Sequence, residues 1–410
     1  MSLMLVTSTG YADVSSASLM EKELYLFVGT YAKEADDGIF LYRFDLEDGS
    51  AMLVNKVSGI GNPSYLALDQ EDTMFYSVSE AGATAKICAY SFDKKTADIR
   101  LVDSQSTGEK GNGPCFIWVD SRRTLAVTAN YGGGSISVFP LSPDGTINVP
   151  TVYAYQGGTP GSARQNAPHL HCIYASPDEK YLYANDLGTD RIYTYEVGEG
   201  GIFPRGKRAM PAGKKGKAGL ARGEEGEKQA LPAGEMGEMG EEGETIYFSL
   251  PSGEGPRHTT FHPNGKYAYL IGELSGRVVV LKYDNGDLTP IQYIEADTLH
   301  AAGSADIHTT PDGRFLYASN RHKGDGLAIF SIDPESGLLT KIGYQPTGIH
   351  PRNFIITPNG KYLLCACRDT NNIQVFAIDP ESGLLTDLQK DIQVPKPVCL
   401  KFASIDRDER

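Results

Sequence analysis

Apolar residues along this chain come in short alternating bursts, and no unit shows a helical period of 3.6. Between 257 and 295 four bursts follow one another, HTTFHP, YAYLIGE, RVVVLKY and LTPIQYIE, joined by turns such as Pro-Asn-Gly and Asp-Asn-Gly. Alternation of period two bounded by Gly, Pro and Asn predicts strands and hairpins. The unit recurs. Its phrase of apolar residues, polar turn and aromatic-x-aromatic reads TTFHPNGKYAYLIGE at 259–273, HTTPDGRFLYASNR at 308–321 and FIITPNGKYLLCACR at 354–368. A looser copy is IYASPDEKYLYAND at 173–186, and two copies without the turn proline are LALDQEDTMFYSVSE at 66–80 and IWVDSRRTLAVTANY at 117–131. The octapeptide DPESGLLT stands at 333–340 and again at 379–386.

Four antiparallel strands every ~45–50 residues describe a β-propeller blade. Six turn phrases give six blades. The seventh is split between VPKPVCLKF at 394–402 and the segments ELYLFVGTY at 23–31 and IFLYRFD at 39–45. The prediction is an all-β, seven-bladed propeller, one domain over 23–410, closed by strands from both termini. Residues 1–22 are expected to be a flexible lead-in. A stretch rich in Gly, Lys and Glu, about 198–244, lacks β alternation and is expected to be a mobile insertion in the third blade.

Composition narrows the function. The 410 residues carry a net charge of −14, and from 201 to 245 eight Lys/Arg cancel eight Glu, so the excess lies in the propeller. An acidic surface repels nucleic acid and anionic membranes, and no apolar run approaches the ~20 residues of a membrane helix. The N-terminus lacks the cationic start of a signal peptide. Six scattered Cys suit buried thiols in a reducing cytoplasm.

The repeat register supplies candidate chemistry. The first strand of each blade begins, and the second ends, on the same mouth of the central channel. Six residues before each turn stand Ser64, Cys115, His171, Arg257, Ala305, Arg352 and Lys396; ten after it stand Glu80, Tyr131, Leu187, Glu273, Arg321 and Arg368, with Tyr31 from the closing blade. The arginines and Lys396 make a cationic mouth, suited to a carboxylate or phosphate because a planar guanidinium fork binds two oxygens at once. Glu80, Glu273 and Asp306 are their possible counter-charges. Glu273 beside Arg257 and His171 is the acid–base candidate. No G-x-S-x-G occurs, so serine catalysis finds no support. His169 and His171, with Asp186 or Asp306 and His308, form only a weak metal pattern, and no metal is expected. Gly132-Gly133-Gly134 precedes a strand, so it reads as a tight turn rather than a phosphate loop.

GTY at 29–31, NYGGGSISVF at 130–139, PHLHCIYASPD at 168–178, GPRHTTFHPNGKYAY at 255–269, SADIHTTPDGRFLYASNR at 304–321 and HPRNFIITPNGKYLL at 350–364 resemble the seven-bladed propeller lactonases. That family includes bacterial 6-phosphogluconolactonases and fungal carboxy-cis,cis-muconate cyclases. The resemblance covers nearly all the chain outside the first ~20 residues and the insertion. It implies lactone ring opening or closing without metal or cofactor, with His171, Arg257, Glu273 and Arg321 as catalytic residues. Substrate contacts are expected from Tyr31, Glu80, His169, Asp306, His308, Arg352, Arg368 and Lys396. The expected partner is a small anionic sugar lactone or carboxylate, and the expected assembly a monomer or weak homo-oligomer. Three readings follow: hydrolysis of a sugar lactone, above all 6-phosphogluconolactone of the pentose phosphate pathway; lactonisation of an unsaturated dicarboxylate; and a non-catalytic binding propeller.

Overall fold

A computed structural model describes residues 22–205 and 247–405. The lead-in and the heart of the insertion lie outside the described residues. Among the described residues the strands form seven antiparallel sheets. Six take successive strands, beginning with inner strands Leu66–Leu68, Pro114–Val119, Leu170–Ala175, Pro256–Phe261, Ile307–Thr309 and Pro351–Ile356; four of them have four strands, and those starting at Leu170 and Pro351 have a short fifth. The seventh joins Glu23–Thr30, Asp37–Asp45 and Ala51–Ser58 to Pro397–Ala403 from the other end of the chain. Ring closure therefore follows the sequence expectation.

The insertion starts later than the composition indicated. Arg191–Gly198 is a strand, and Gly201–Pro204 pairs with it across a turn. The chain returns as Tyr247–Ser249, which pairs with the other half of Arg191–Gly198. Glycine-rich composition masked this hairpin, because its register is set by the neighbouring strand rather than by its own residues.

Burial explains the strand patterns. Second strands such as Met74–Ser79, Leu125–Asn130 and Tyr267–Gly272 are buried at every residue, since each is covered by a blade on both faces. Outer strands such as Asp287–Glu295 alternate between exposed and half-buried, the pattern of a sheet with one wet face.

The aromatic-x-aromatic phrase ties neighbouring blades together. Tyr183, Tyr269 and Tyr317 each donate a hydroxyl hydrogen bond to a turn carbonyl of the next blade, at Gly286, Gly337 and Gly383. Those glycines have φ of 93°, 69° and 71°. A Cβ on each would also strike the ring of the phrase's first aromatic, Tyr181, Tyr267 or Phe315, at 2.4–2.7 Å. The glycine of the repeated octapeptide is thus required twice, by backbone conformation and by close approach.

The Gly132–Gly134 run is a tight turn between Asn130 and Ser135, as expected. A Cβ on Gly133 would lie 1.9 Å from the Lys110 carbonyl oxygen. Gly133→Ala is expected to cost about 1–3 kcal/mol through forced backbone movement, read as a lower urea midpoint. An unchanged midpoint would show the turn relaxes freely. The six cysteines are buried and unpaired. Among the described residues no helix is long and apolar enough to cross a membrane.

Candidate active site at the channel mouth

The inner strands do not enter the mouth regularly. Each of four carries one extra residue at its start: pairing skips from Pro114 to Phe116, Leu170 to Cys172, Pro256 to His258 and Pro351 to Asn353. The bulged residues are Cys115, His171, Arg257 and Arg352. A bulge re-aims a side chain at the end of a ladder, which is how one register position gathers this chemistry. Facing them, Tyr31, Tyr131, Glu273, Arg321 and Arg368 follow directly on the last residues of their second strands.

Glu273 is the hub. Its Oε2 lies 2.9 Å from Arg257 Nε and 3.8 Å from His171 Nε2. Its Oε1 lies 3.3 Å from Arg321 Nη2 and 2.5 Å from Arg164 Nη2. Burial pushes this carboxyl up, but Arg321, Arg257 and Arg164 outweigh it and hold the group at about 2. Burial, then the charge of Arg257, keeps His171 well below the usual imidazole range, so it is neutral. Burial lowers Arg321 to about 9 although Glu273 opposes the change. The pair favours the carboxylate strongly but does not repay the burial of the guanidinium. Arg321 is nonetheless charged at neutral pH, donating Nε to Gly303 O at 2.6 Å and Nη2 to Ser304 O at 3.3 Å. Its Nη1 lies 3.2 Å from His350 Nε2. Arg257 donates Nη1 to the Ala305 carbonyl.

Arg352 stands apart from this knot. Its guanidinium lies over the Tyr31 ring at 5.3 Å, with no carboxylate in ion-pair contact among the described residues. Glu80 accepts a hydrogen bond from Ser64 Oγ at 2.7 Å. Arg164, Arg257, Arg321 and Arg352 against Glu80 and Glu273 leave the mouth with a formal +2 inside an acidic protein.

The remaining candidates are spread more widely. His169 stacks on Tyr131 at 4.4 Å and its Nδ1 lies 2.9 Å from the Tyr131 carbonyl, so it braces the wall. Asp306 is buried just before the inner strand Ile307–Thr309. It accepts from His258 Nδ1 at 2.7 Å and Phe354 N at 3.2 Å, and also meets His308 Nε2 and the Asn353 amide. Its direct contacts are thus with these groups, while its charge also acts on Arg257. Arg368 forks onto Asp369 at 2.7 and 2.8 Å. Lys396 does not occupy the ring: the closing strand bulges at Val398, between the pairs Thr30–Pro397 and Gly29–Cys399. The register slipped by two there because no continuous turn links that strand to its partner. Lys396 is exposed and lines a groove of about 590 Å³ with Lys33, Phe40 and Tyr31. Among the described residues no three His, Cys, Asp or Glu side chains converge as a metal site requires.

Arg164, His258 and His350 are additions that the repeat reading missed. Arg164 sits in the connection between two blades, where no repeat register exists. His258 was visible as the neighbour of Arg257, but its link to Asp306 spans 48 residues.

The family model for seven-bladed β-propeller lactonases matches residues 25–214 and 236–402. The chain belongs to the seven-bladed β-propeller lactonase family. The unmatched 215–235 falls within the insertion. The 6-phosphogluconolactonase of Bacillus subtilis is 32% identical over 383 residues, which cover 92% of this chain and 97% of that one. The crystal structure of a candidate 6-phosphogluconolactonase from Bacteroides fragilis is 42% identical, with a TM-score of 0.81, covering 95% of this chain and all of that one. The periplasmic gluconolactonase of Pseudomonas aeruginosa is 28% identical, with a TM-score of 0.79, covering 94% and 100%.

Proposed function

We propose that this propeller hydrolyses 6-phospho-D-glucono-1,5-lactone to 6-phosphogluconate, as a step of the pentose phosphate pathway. The observation that carries the reading is the convergence of Arg257, Arg321, Glu273 and neutral His171 beside the guanidinium of Arg352, which has no carboxylate in ion-pair contact among the described residues. The names of the Bacillus and Bacteroides relatives support the substrate class. Six unpaired thiols fit a reducing compartment, and we place the enzyme in the cytoplasm.

Water attacks the lactone carbonyl, and the Glu273–His171 pair takes its proton. Arg257 and Arg321 face the oxyanion of the tetrahedral intermediate. Both are already fixed to backbone carbonyls, so they need little rearrangement as charge develops. The bond from the carbonyl carbon to the ring oxygen then breaks, and that oxygen recovers the proton. Arg352 receives the phosphate.

The test is turnover of 6-phosphogluconolactone against unphosphorylated gluconolactone, each corrected for spontaneous opening. Preference for the phosphorylated lactone is expected. Equal rates on both would remove the phosphate from the mechanism, and no turnover of either would overturn the reading. Arg352→Ala is expected to raise KM for the phosphorylated lactone by roughly 10- to 100-fold, the worth of a charged hydrogen bond. Its kcat should change little, because binding is lost equally from ground and transition states.

A further inference from the structure

The three guanidinium groups around Glu273 are not held alike. Arg257 and Arg321 are buried and anchored to backbone carbonyls. The Arg164 side chain is 43% exposed and comes from the loop between Tyr155 and His169. Its guanidinium meets Glu273 Oε1 and the Tyr131 side chain, and among the described residues no backbone carbonyl holds it. The backbone beneath it is fixed. Gln165 donates Nε2 to Leu187 O at 2.9 Å and Asp190 Oδ1 at 2.8 Å, while Thr159 N donates to Gln165 O. The side chain can therefore swing while the loop stays in place.

We propose that Arg164 leaves Glu273 for the anionic group of the incoming lactone, binding the substrate and freeing the Glu273–His171 pair to take the proton of water. This rests on the lactonase reading. A carboxylate gripped by three cations is a weak proton acceptor. Exchanging one of them for a substrate oxyanion raises its proton affinity only when substrate is present. Arg257 and Arg321 remain, with His171 opposite, and Arg352, Tyr131 and His322 also face Glu273 electrostatically. The relief is therefore partial. Arg164 forms no covalent bond and changes no charge; one ion pair replaces another.

Wild type, Arg164→Lys and Arg164→Gln are compared on the phosphorylated and unphosphorylated lactones across acidic to neutral pH. For Arg164→Gln the expected result is a KM raised about 10-fold on the phosphorylated lactone alone. The acid limb of kcat/KM, which reports the free enzyme, should move to higher pH because Glu273 has lost a cation. Lys should restore part of both. Equal KM changes on the two lactones, an unmoved acid limb, or Lys no better than Gln would overturn the proposal. If wild type turns over neither lactone, the lactonase reading fails separately. The exchange is then read from the carboxyl ¹³C titration of Glu273, assigned against Glu273→Gln, with and without inorganic phosphate. A midpoint that rises with phosphate in wild type but not in Arg164→Gln supports it; a midpoint that stays put overturns it.

Discussion

Glu273→Gln is expected to lower kcat/KM for 6-phosphogluconolactone by about 10²- to 10⁴-fold, the range of a lost acid–base group. It should also destabilise the protein. The carboxylate is the shared counter-charge of Arg257 and Arg321, both buried and unable to reach water. Removing one partner of a buried ion pair costs about 3–5 kcal/mol, so the rate must be referred to the folded fraction, measured by urea unfolding at the assay temperature. Glu273→Asp keeps the charge and separates the two effects: stability should largely return, and activity only in part. A fully folded Gln variant with near-normal turnover would remove Glu273 from the mechanism.

The same group makes a pH signature. Its folded value, about 2, lies below the ordinary 4.5. Its stabilising contribution is thus complete above 4.5 and is lost as the pH falls toward 2. Wild type should lose stability in that acid window more steeply than Glu273→Gln.

Ending the chain after Val394 is expected to have the largest effect on folding. It removes Pro397–Ala403, the inner strand of the closing blade, which pairs along Tyr25–Thr30. Val398, Cys399 and Leu400 are buried in it. Leu400 N donates to Asn353 Oδ1 at 2.7 Å, and Leu66 N meets Cys399 Sγ at 3.3 Å, so the strand also joins the two flanking blades. Without it Glu23–Thr30 becomes an open edge and the channel loses part of its wall. Soluble yield, size-exclusion profile and thermal unfolding are the readouts; the expectation is aggregated or non-cooperatively unfolding protein. Leu400→Ala is the graded control, expected to cost about 2–5 kcal/mol. A truncated chain that melts cooperatively near the wild-type temperature would show that closure is dispensable.

Much of this architecture was legible because a blade is a local object. Alternation, turn chemistry and the 46- to 48-residue recurrence fix four strands and their order. Register places His171, Arg257, Glu273 and Arg321 on one mouth, because every blade presents the same positions there. Even the closing blade could be assigned, since each terminus carries strands that lack partners nearby.

What the sequence could not decide begins where the repeat ends. The closing strand has no turn to its partner in the chain, so counting points to Lys396, whereas the pairing puts Val398 at that position. Arg164 lies in a loop with no counterpart in other blades, and only folding brings it to Glu273, 109 residues away. Asp306 reads in the sequence as a counter-charge for the mouth arginines; its charge does act on Arg257, but its direct contacts are with His258, His308, Asn353 and Phe354. The sequence determined the strands, their ring and the residue types facing the channel, because those follow from short-range pattern repeated in register. The tertiary structure alone decided which charge meets which, because ion pairing depends on ångström separations set by bulges, loops and strand ends that periodicity does not encode.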